Sequence, residues 1–268
     1  MRYEKQIITT THVDSHHFKM TKESLYDAAR QQNEVYIPLT IEHDPRIPPV
    51  GRGESSEVVE LEDGEWALVG TYAIFEEGDS SKPVTSGRRI VSERQNPDKF
   101  AVVYDISYEN PDGHKFIGEL ATLSGEKPQI GVKRSAEPIS ILTIVIGVII
   151  GNILAGFLQK IGADCVDPLK KVLGDFFHKH LGKERLIHWK ITTEINDEPV
   201  EIGIILTNPD SVSIQEFIDS GLGNVDYELS RYNVNKDIAR IVFEYKSGKL
   251  IQKYALRADG IPVTLNLK

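Results

Sequence analysis

The longest uncharged stretch of the chain constrains its folding more than any other feature. The residues from Pro138 to Gln159 include no charged side chain, and the core of this stretch reads ISILTIVIGVIIGNILAGFL. About 20 apolar residues in a helix are enough to cross a bilayer core of roughly 30 Å. Soluble helices are rarely apolar on all sides over such a length. The stretch therefore predicts a hydrophobic transmembrane helix, with a helix buried in a soluble core as the alternative.

Three glycines in this stretch predict how such a helix would pack. Gly147 and Gly151 form a GxxxG pair, and Gly156 extends the small-residue face. In a membrane this pattern lets two helices approach closely, so a homo-oligomer formed through the helix is expected. Basic residues are balanced on the two flanks and indicate no orientation. One hypothesis is that the helix is sheltered at rest and inserts conditionally.

Composition and charge exclude several classes of protein. With 40% hydrophobic and 26% charged residues, the 268-residue chain is typical of globular proteins. A net charge of -9 disfavours nucleic acid as a partner. Cys165 is the single cysteine, which excludes a disulfide framework and a cysteine-based zinc site. No P-loop or GxGxxG motif is present, so we expect no nucleotide site and no cofactor. We expect no metal either, because His12, His16 and His17 have no partnering cysteine or fixed carboxylate.

The N-terminal residues and the segment composition predict location and domains. MRYEKQIITT has no apolar core typical of a secretory signal, so a cytoplasmic or inner-membrane-associated protein is expected. The predicted fold class is α+β, in three parts. Residues 1–135 form a β-rich domain, and residues 136–183 form the hydrophobic helix followed by an amphipathic helix. Residues 184–268 form a small α+β binding or regulatory domain.

Local patterns predict the individual elements. Two hairpins are expected in the C-terminal part, with turns at Asn196-Asp197 and Ser247-Gly248. DPLKKVLGDFFHKHLG has apolar residues at helical spacing and predicts an amphipathic helix, which either packs on the C-terminal domain or lies on a membrane surface. Thr21 is expected to begin a short helix that runs through SLYDAARQ, and Ser213 and Glu216 have capping-box spacing that predicts another short helix. EVYIPLTIEH, KFAVVYDISYE and KFIGELATL are expected to be strands.

The N-terminal part resembles the phage prohead (capsid-maturation) proteases, whose fold is shared with the herpesvirus assemblins. Three features carry the resemblance over residues 5–140. The first strand ends near Val13-Asp14, an apolar strand ends in His43-Asp44, and a proline-rich turn follows with Gly51-Arg52. The resemblance implies an assemblin-like fold and serine endopeptidase activity on a protein substrate or on the chain itself.

The resemblance also implies a catalytic site. Ser107, in YDISYENPDG, matches the nucleophile best, and His43 would be its base. Glu137, or alternatively Asp105, would orient the imidazole. A serine hydroxyl requires such a base near neutral pH, and histidine titrates in the suitable range.

Two functions remain open at this point. One is a self-processing serine endopeptidase fused to a membrane-inserting helix. The other is a non-catalytic, membrane-active effector or interaction protein of bacterial or phage conflict, in which the protease-like fold is only a scaffold.

Overall fold

The computed structural model describes residues 1–13, 19–84, 87–90, 101–105, 108, 110–123, 129–133, 139–179 and 184–268. Within them the chain forms two β-sheets and six α-helices, which confirms the predicted α+β class. Two compact units are present. The first comprises Met1–His43, Ile47–Ser92 and Leu256–Val263, and the second comprises Asp44–Arg46, Glu93–Ala255 and Thr264–Lys268. Both predicted domain boundaries fall within the second unit.

The element bounds are as follows. The strands are β1 (Arg2–Thr10), β2 (Ile37–Leu39), β3 (Gly51–Glu60), β4 (Trp66–Ile74), β5 (Ala101–Asp105), β6 (Gln129–Lys133), β7 (Ile139–Ile149), β8 (Glu184–Ile195), β9 (Glu198–Thr207), β10 (Ile238–Lys246), β11 (Lys249–Arg257) and β12 (Pro262–Val263). The helices are α1 (Lys22–Glu34), α2 (Pro111–Leu123), α3 (Ile153–Ile161), α4 (Val166–Lys179), α5 (Ser211–Glu216) and α6 (Gly223–Ser230).

The first unit is built on a four-stranded sheet in the order β1-β4-β3-β2, with antiparallel pairs throughout. Helix α1 begins where predicted, because the Thr21 side chain accepts a hydrogen bond from the Ser24 amide and caps it. Its buried face presents Leu25 and Ala29, which pack with Leu68 of β4. The sheet thus has one helix fixed on it by a small apolar cluster.

The second unit contains strands of an eight-stranded mixed sheet in the order β12-β11-β10-β9-β8-β7-β5-β6. The β8–β9 hairpin turns at Asn196 and Asp197, as predicted, and both residues have positive φ, as a two-residue hairpin turn requires. Strand β7 runs parallel to β8, and β9 runs parallel to β10. Parallel neighbours need a crossover connection, and helices supply it in both cases.

The predicted hydrophobic helix is wrong. Its first half, Ile139–Ile149, is strand β7, and only Ile153–Ile161 is helical. None of the helices in the described ranges has the length and apolar character that crossing a membrane requires. The transmembrane prediction is therefore overturned, and the helix through which a homo-oligomer was expected is not formed over this stretch.

Side-chain shape and burial explain this outcome. The first half of the stretch is rich in isoleucine, valine and threonine, whose branched β-carbons favour strands. Strand β7 lies between β5 and β8, and successive residues of its first half are buried, so both of its faces are covered. A strand buried on both faces has a continuous apolar sequence, which also fits a buried helix. The length of the uncharged stretch was misleading because it combines a strand and a helix.

The three glycines assigned to helix packing have three separate local roles. Gly147 lies at an irregularity in the β7–β8 register, between Ile146 and Val148, where a bulge accommodates an extra residue. Gly151 has φ +90° in the turn between β7 and α3, a conformation that other residues rarely adopt. Gly156 brings α3 close to Ile149 of β7.

Aromatic side chains join the helices to the apolar face of the large sheet. The ring centroids of Phe157 in α3 and Trp189 in β8 are 5.9 Å apart. Phe217 follows at 5.5 Å from Trp189, and Tyr245 of β10 lies 5.1 Å from Phe217. Such aromatic pairs each add about 0.5–1.5 kcal/mol beyond the area they bury. This row joins four parts of the chain in one core.

Helix α4 is the predicted amphipathic helix, and its apolar face packs against the protein. Its apolar residues Leu169, Leu173 and Phe176 are buried, and Phe176 stacks on Phe116 of α2 with ring centroids 3.9 Å apart. The helix packs on its neighbours in the second unit.

Three local predictions need correction. KFIGELATL lies in helix α2, since Phe116, Ile117 and Leu120 bury one helical face, and the Asn110 side chain accepts a hydrogen bond from the Gly113 amide near its start. EVYIPLTIEH is a strand only over Ile37–Leu39, followed by a 3₁₀ turn. Helix α5 is capped by Asp210, whose carboxylate accepts the Ser213 amide, and not by Ser213.

Gly156→Ala should destabilise the protein. A β-carbon at this position would lie 2.2 Å from Ile149 Cγ2, and Ile149 is buried in the core. We expect the free energy of unfolding to fall by about 1–3 kcal/mol, the usual range for overpacking, as measured by urea unfolding.

The matched control is Gly118→Ala in α2, where a β-carbon would contact nothing within 4 Å. Alanine has the higher helix propensity, so this variant should be neutral or more stable by up to about 1 kcal/mol. Equal losses in the two variants would contradict the close contact between α3 and β7.

Candidate functional site

The predicted Ser-His site falls mostly outside the described residues. Ser107 and Glu137 lie outside them, and Asp105 ends strand β5 with its side chain also outside the description. His43 is described: it is exposed and ends a 3₁₀ turn at φ 50°. Positive φ is uncommon for a residue other than glycine. The catalytic assignment of His43, Ser107 and Glu137 remains a prediction.

The carboxylate that follows His43 belongs to a structural ion-pair network. Arg46 donates from Nη2 to Asp44 Oδ2 at 2.7 Å, and from Nη1 to Glu184 Oε1 at 2.6 Å. Burial raises the pKa of Asp44, but the hydrogen bonds from Arg46 lower it by more, so the pKa lies below its ordinary value. The same guanidinium lowers the pKa of Glu184. The Asp44 carboxylate is therefore engaged in an ion pair with Arg46.

A polar cleft of about 430 Å³ lies in the second unit, where strands β7 and β8 end. These strands are parallel, so their carboxyl ends meet at one edge of the sheet. In open sheets with parallel strands, ligands bind in the crevice outside these ends. The polar residues that line the cleft are Thr193, Glu194, Asn196, Asp226, Ser230, Tyr232, Asn233, Asn235 and Lys268.

Hydrogen bonds hold the walls of the cleft in place. The Asn196 side-chain amide donates to the Val234 carbonyl at 2.7 Å, which fixes the β8–β9 turn to the loop opposite. The Asn233 backbone amide donates to the Asn266 backbone carbonyl at 2.9 Å, and this bond joins the same loop to the last residues of the chain. These contacts fix the shape of the cleft in the absence of a ligand.

Asp226 closes one end of the cleft by capping helix α3. Its Oδ2 accepts the Ile153 backbone amide at 3.0 Å and the Asn152 side-chain amide at 2.8 Å. A carboxylate at this place satisfies amides that the first helical turn leaves unpaired. The N-terminus of α3 is thus already paired with a carboxylate of the protein itself.

The charge balance of the cleft limits what it can hold. Among the described residues that line it, Glu194 and Asp226 are acidic and Lys268 alone is basic. The remaining polar groups are amides and hydroxyls, which both donate and accept hydrogen bonds. The lining therefore suits a neutral polar molecule and disfavours an anion.

A second group of charges is buried on the sheet itself. Glu201 of β9 is 3% exposed, and its Oε1 lies 2.6 Å from Arg240 Nε and 3.8 Å from Lys190 Nζ. Burial raises the pKa of Glu201, but the charges of Arg240, Lys190 and His188 lower it by more, so the pKa is about 2. The arrangement stabilises a buried carboxylate within the sheet.

Within the described residues, no group of three histidine, cysteine, aspartate or glutamate side chains is placed to hold a metal ion. Comparisons with protein-family models, with curated proteins and with solved structures find no match for this chain.

Sequence reasoning missed the cleft because its residues come from distant parts of the chain. Gly151, the Asn196 turn, helix α6 and Lys268 meet only in the folded unit. The asparagine-rich run RYNVNKD was the one local signal, since asparagine side chains at a turn offer paired donors and acceptors.

Glu201→Gln should destabilise the second unit. Removing the charge leaves Arg240 largely buried without its counter-ion, which costs about 3 kcal/mol. Because the folded pKa lies below the ordinary value of 4.5, the wild-type carboxylate contributes stability above that value and loses it as the pH falls towards about 2. Urea unfolding at pH 7 and pH 3, followed by tryptophan fluorescence, measures both effects.

The control is Glu216→Gln, at an exposed position of α5. It should change the stability little at either pH. If Glu201→Gln loses as much stability on acidification as the wild type does, Glu201 is not the group responsible.

Proposed function

We propose that this protein binds a small, neutral, hydroxyl-rich molecule, of the carbohydrate class, in the cleft at the ends of β7 and β8. The observation that carries the proposal is that residues with amide, hydroxyl and carboxylate side chains line one cleft of about 430 Å³. Ligand sites usually have volumes between about 300 and 1,000 Å³. The proposal agrees with the binding role predicted for residues 184–268.

Hydrogen-bond chemistry favours hydroxyl groups as the recognised feature. A carboxylate accepts from a hydroxyl, and an amide can donate to one hydroxyl while accepting from its neighbour. Glu194 and Asn235 offer these two kinds of group, and Tyr232 adds an aromatic ring and a hydroxyl. A phosphate or carboxylate ligand would meet two acids and one base, so it is disfavoured by charge.

Asn235→Trp should abolish the binding by filling the cleft. Asn235 is exposed and lines the cleft, so a large side chain there competes with a ligand without disturbing the core. Saturation-transfer NMR with glucose, galactose, mannose, N-acetylglucosamine and their disaccharides, followed by calorimetry of any hit, measures binding. We expect at least about a tenfold loss of affinity.

Lys236→Trp is the matched control, because Lys236 is the exposed neighbour and does not line the cleft. It should retain wild-type affinity, and inorganic phosphate should not compete. If no sugar binds the wild type saturably, or if Asn235→Trp binds as well as Lys236→Trp, the proposal fails.

A second proposal is the serine endopeptidase activity that the prohead-protease resemblance implies. The supporting observation is His43, which is exposed and held at positive φ just after strand β2. Unusual backbone conformations of this kind concentrate at functional sites. The substrate would be a protein or the chain itself.

Ser107→Ala should abolish this hydrolysis. Removing the nucleophile of such a site lowers the rate by at least about a thousandfold. Mass spectrometry of the incubated chain detects self-cleavage, and labelled casein detects cleavage in trans. Ser80→Ala, at an exposed position, is the control and should change nothing. Equal rates in Ser107→Ala and wild type would reject the assignment.

A further inference from the structure

Three polar side chains of the first unit form a hydrogen-bonded row where strand β1 ends. Thr10 is the last residue of β1, and the antiparallel pairing with β4 places it beside the turn that joins β3 to β4. His12 Nδ1 lies 3.0 Å from Thr10 Oγ1, and His12 Nε2 lies 2.8 Å from Asp63 Oδ2 in that turn. A hydroxyl, an imidazole and a carboxylate in this order are the arrangement that activates a hydroxyl nucleophile.

The carboxylate determines which ring nitrogen of the imidazole carries the proton. An ionised carboxylate only accepts hydrogen bonds, so His12 Nε2 must donate to Asp63. The hydrogen bond from His12 lowers the pKa of Asp63, and the Glu65 backbone amide lowers it as well, which favours the ionised carboxylate. In the neutral imidazole, Nδ1 therefore has no proton and accepts the hydrogen bond of the Thr10 hydroxyl. This is the state in which a histidine acts as a base.

Backbone amides orient both outer groups of the row. The Glu65 amide donates to Asp63 Oδ1 at 3.1 Å, which leaves Oδ2 for His12. The His12 amide donates to Thr10 Oγ1 at 3.2 Å. The carboxylate of Glu65 is itself paired with Lys19, whose Nζ lies 2.8 Å from Oε1. The row is thus oriented by the chain in the absence of a substrate.

The exposure of the row indicates which substrates it can use. The side chains of His12 and Asp63 are 46% and 57% exposed, and Thr10 is partly buried. Sites that hold a ligand tightly are concave and enclose most of its surface. An exposed row therefore suits small substrates that react without being held tightly. Esters with a good leaving group meet this requirement, because that group departs with little assistance.

We propose that Thr10, His12 and Asp63 form a catalytic site for small activated esters, as nucleophile, base and positioning residue. Thr10 Oγ1 attacks the ester carbonyl carbon while His12 Nδ1 accepts the hydroxyl proton. The bond to the leaving oxygen then breaks, and the imidazolium returns the proton to that oxygen. A water molecule attacks the acyl-threonine and gives a proton to Nδ1, which passes it to Thr10 Oγ1 as the carboxylic acid leaves.

Hydrolysis of 4-nitrophenyl acetate by the full chain tests the nucleophile. All variants and the reference chain carry Ser107→Ala, so the predicted peptidase serine contributes nothing. Thr10→Val keeps the shape of the side chain and removes the hydroxyl, so the release of 4-nitrophenol above the buffer rate should fall at least about tenfold. Thr10→Ser keeps a hydroxyl and should retain the activity. Mass spectrometry of the acid-quenched peptide 6–19 locates the acetyl group, which we expect on residue 10.

Thr9→Val is the matched control, because Thr9 is the neighbouring threonine and its hydroxyl contacts Met20 Sδ. It should retain the rate of the reference chain. Circular dichroism establishes that the variants are folded. A reference chain that releases nitrophenol no faster than buffer, or equal rates in Thr10→Val and Thr9→Val, overturns the proposal. In the second case the imidazole or another group reacts without Thr10.

Asp63→Asn tests the positioning role. An amide at this place donates to Nε2, which moves the ring proton to Nδ1 and removes the base. The rate should fall at least about tenfold, and ¹⁵N NMR of the His12 ring should show the change of tautomer. Glu62→Gln removes the same charge at the neighbouring exposed position and should change neither the rate nor the spectrum. Equal rates in these two variants, or an unchanged tautomer in Asp63→Asn, overturn the assignment of Asp63.

Discussion

The burial of one face of the large sheet under helices is the constraint on which the second unit depends. Trp189 and Phe217 lie at the centre of this face, and both are fully buried. Their contacts join strand β8 to the chain segment after α5, and Phe157 adds helix α3. Because interiors are packed to high density, the crossover helices have little freedom in where they lie. The turn after β7 and the position of α6 follow from this packing.

The opposite face of the same sheet carries charge. Strand alternation places His188 and Lys190 on this face, together with Glu201 of β9, a diagonal neighbour of Lys190, and Arg240 of β10 lies directly opposite Glu201. Burying charges is costly unless they are paired, and here one carboxylate is shared between a guanidinium and an ammonium. The two faces thus require different chemistry, and a one-residue slip in register would exchange them. The polar face therefore contributes to specifying the register as well as to stability.

The cleft follows from these constraints. Strands β7 and β8 are parallel and end at the same edge, so the chain must leave the sheet there twice, once into α3 and once into the turn at Asn196. Gly151 allows the first exit by its positive φ, and Asn196 and Asp197 allow the second. The backbone needed at these exits brings polar residues together around an open volume. The cleft therefore requires no element beyond those that close the fold.

The sequence by itself determined the features that depend on local chemistry. The Thr21 cap, the Asn196-Asp197 turn and the amphipathic face of α4 could be predicted because turn geometry, capping and helical spacing act over a few residues. The tertiary structure decided whether Ile139–Ile149 is a strand or part of a helix, because an apolar run buried on both faces fits either. It also decided the separate roles of Gly147, Gly151 and Gly156, and it brought Asp226 and Lys268 to one cleft. Those outcomes depend on partners far apart in the chain, and local patterns do not encode such pairs.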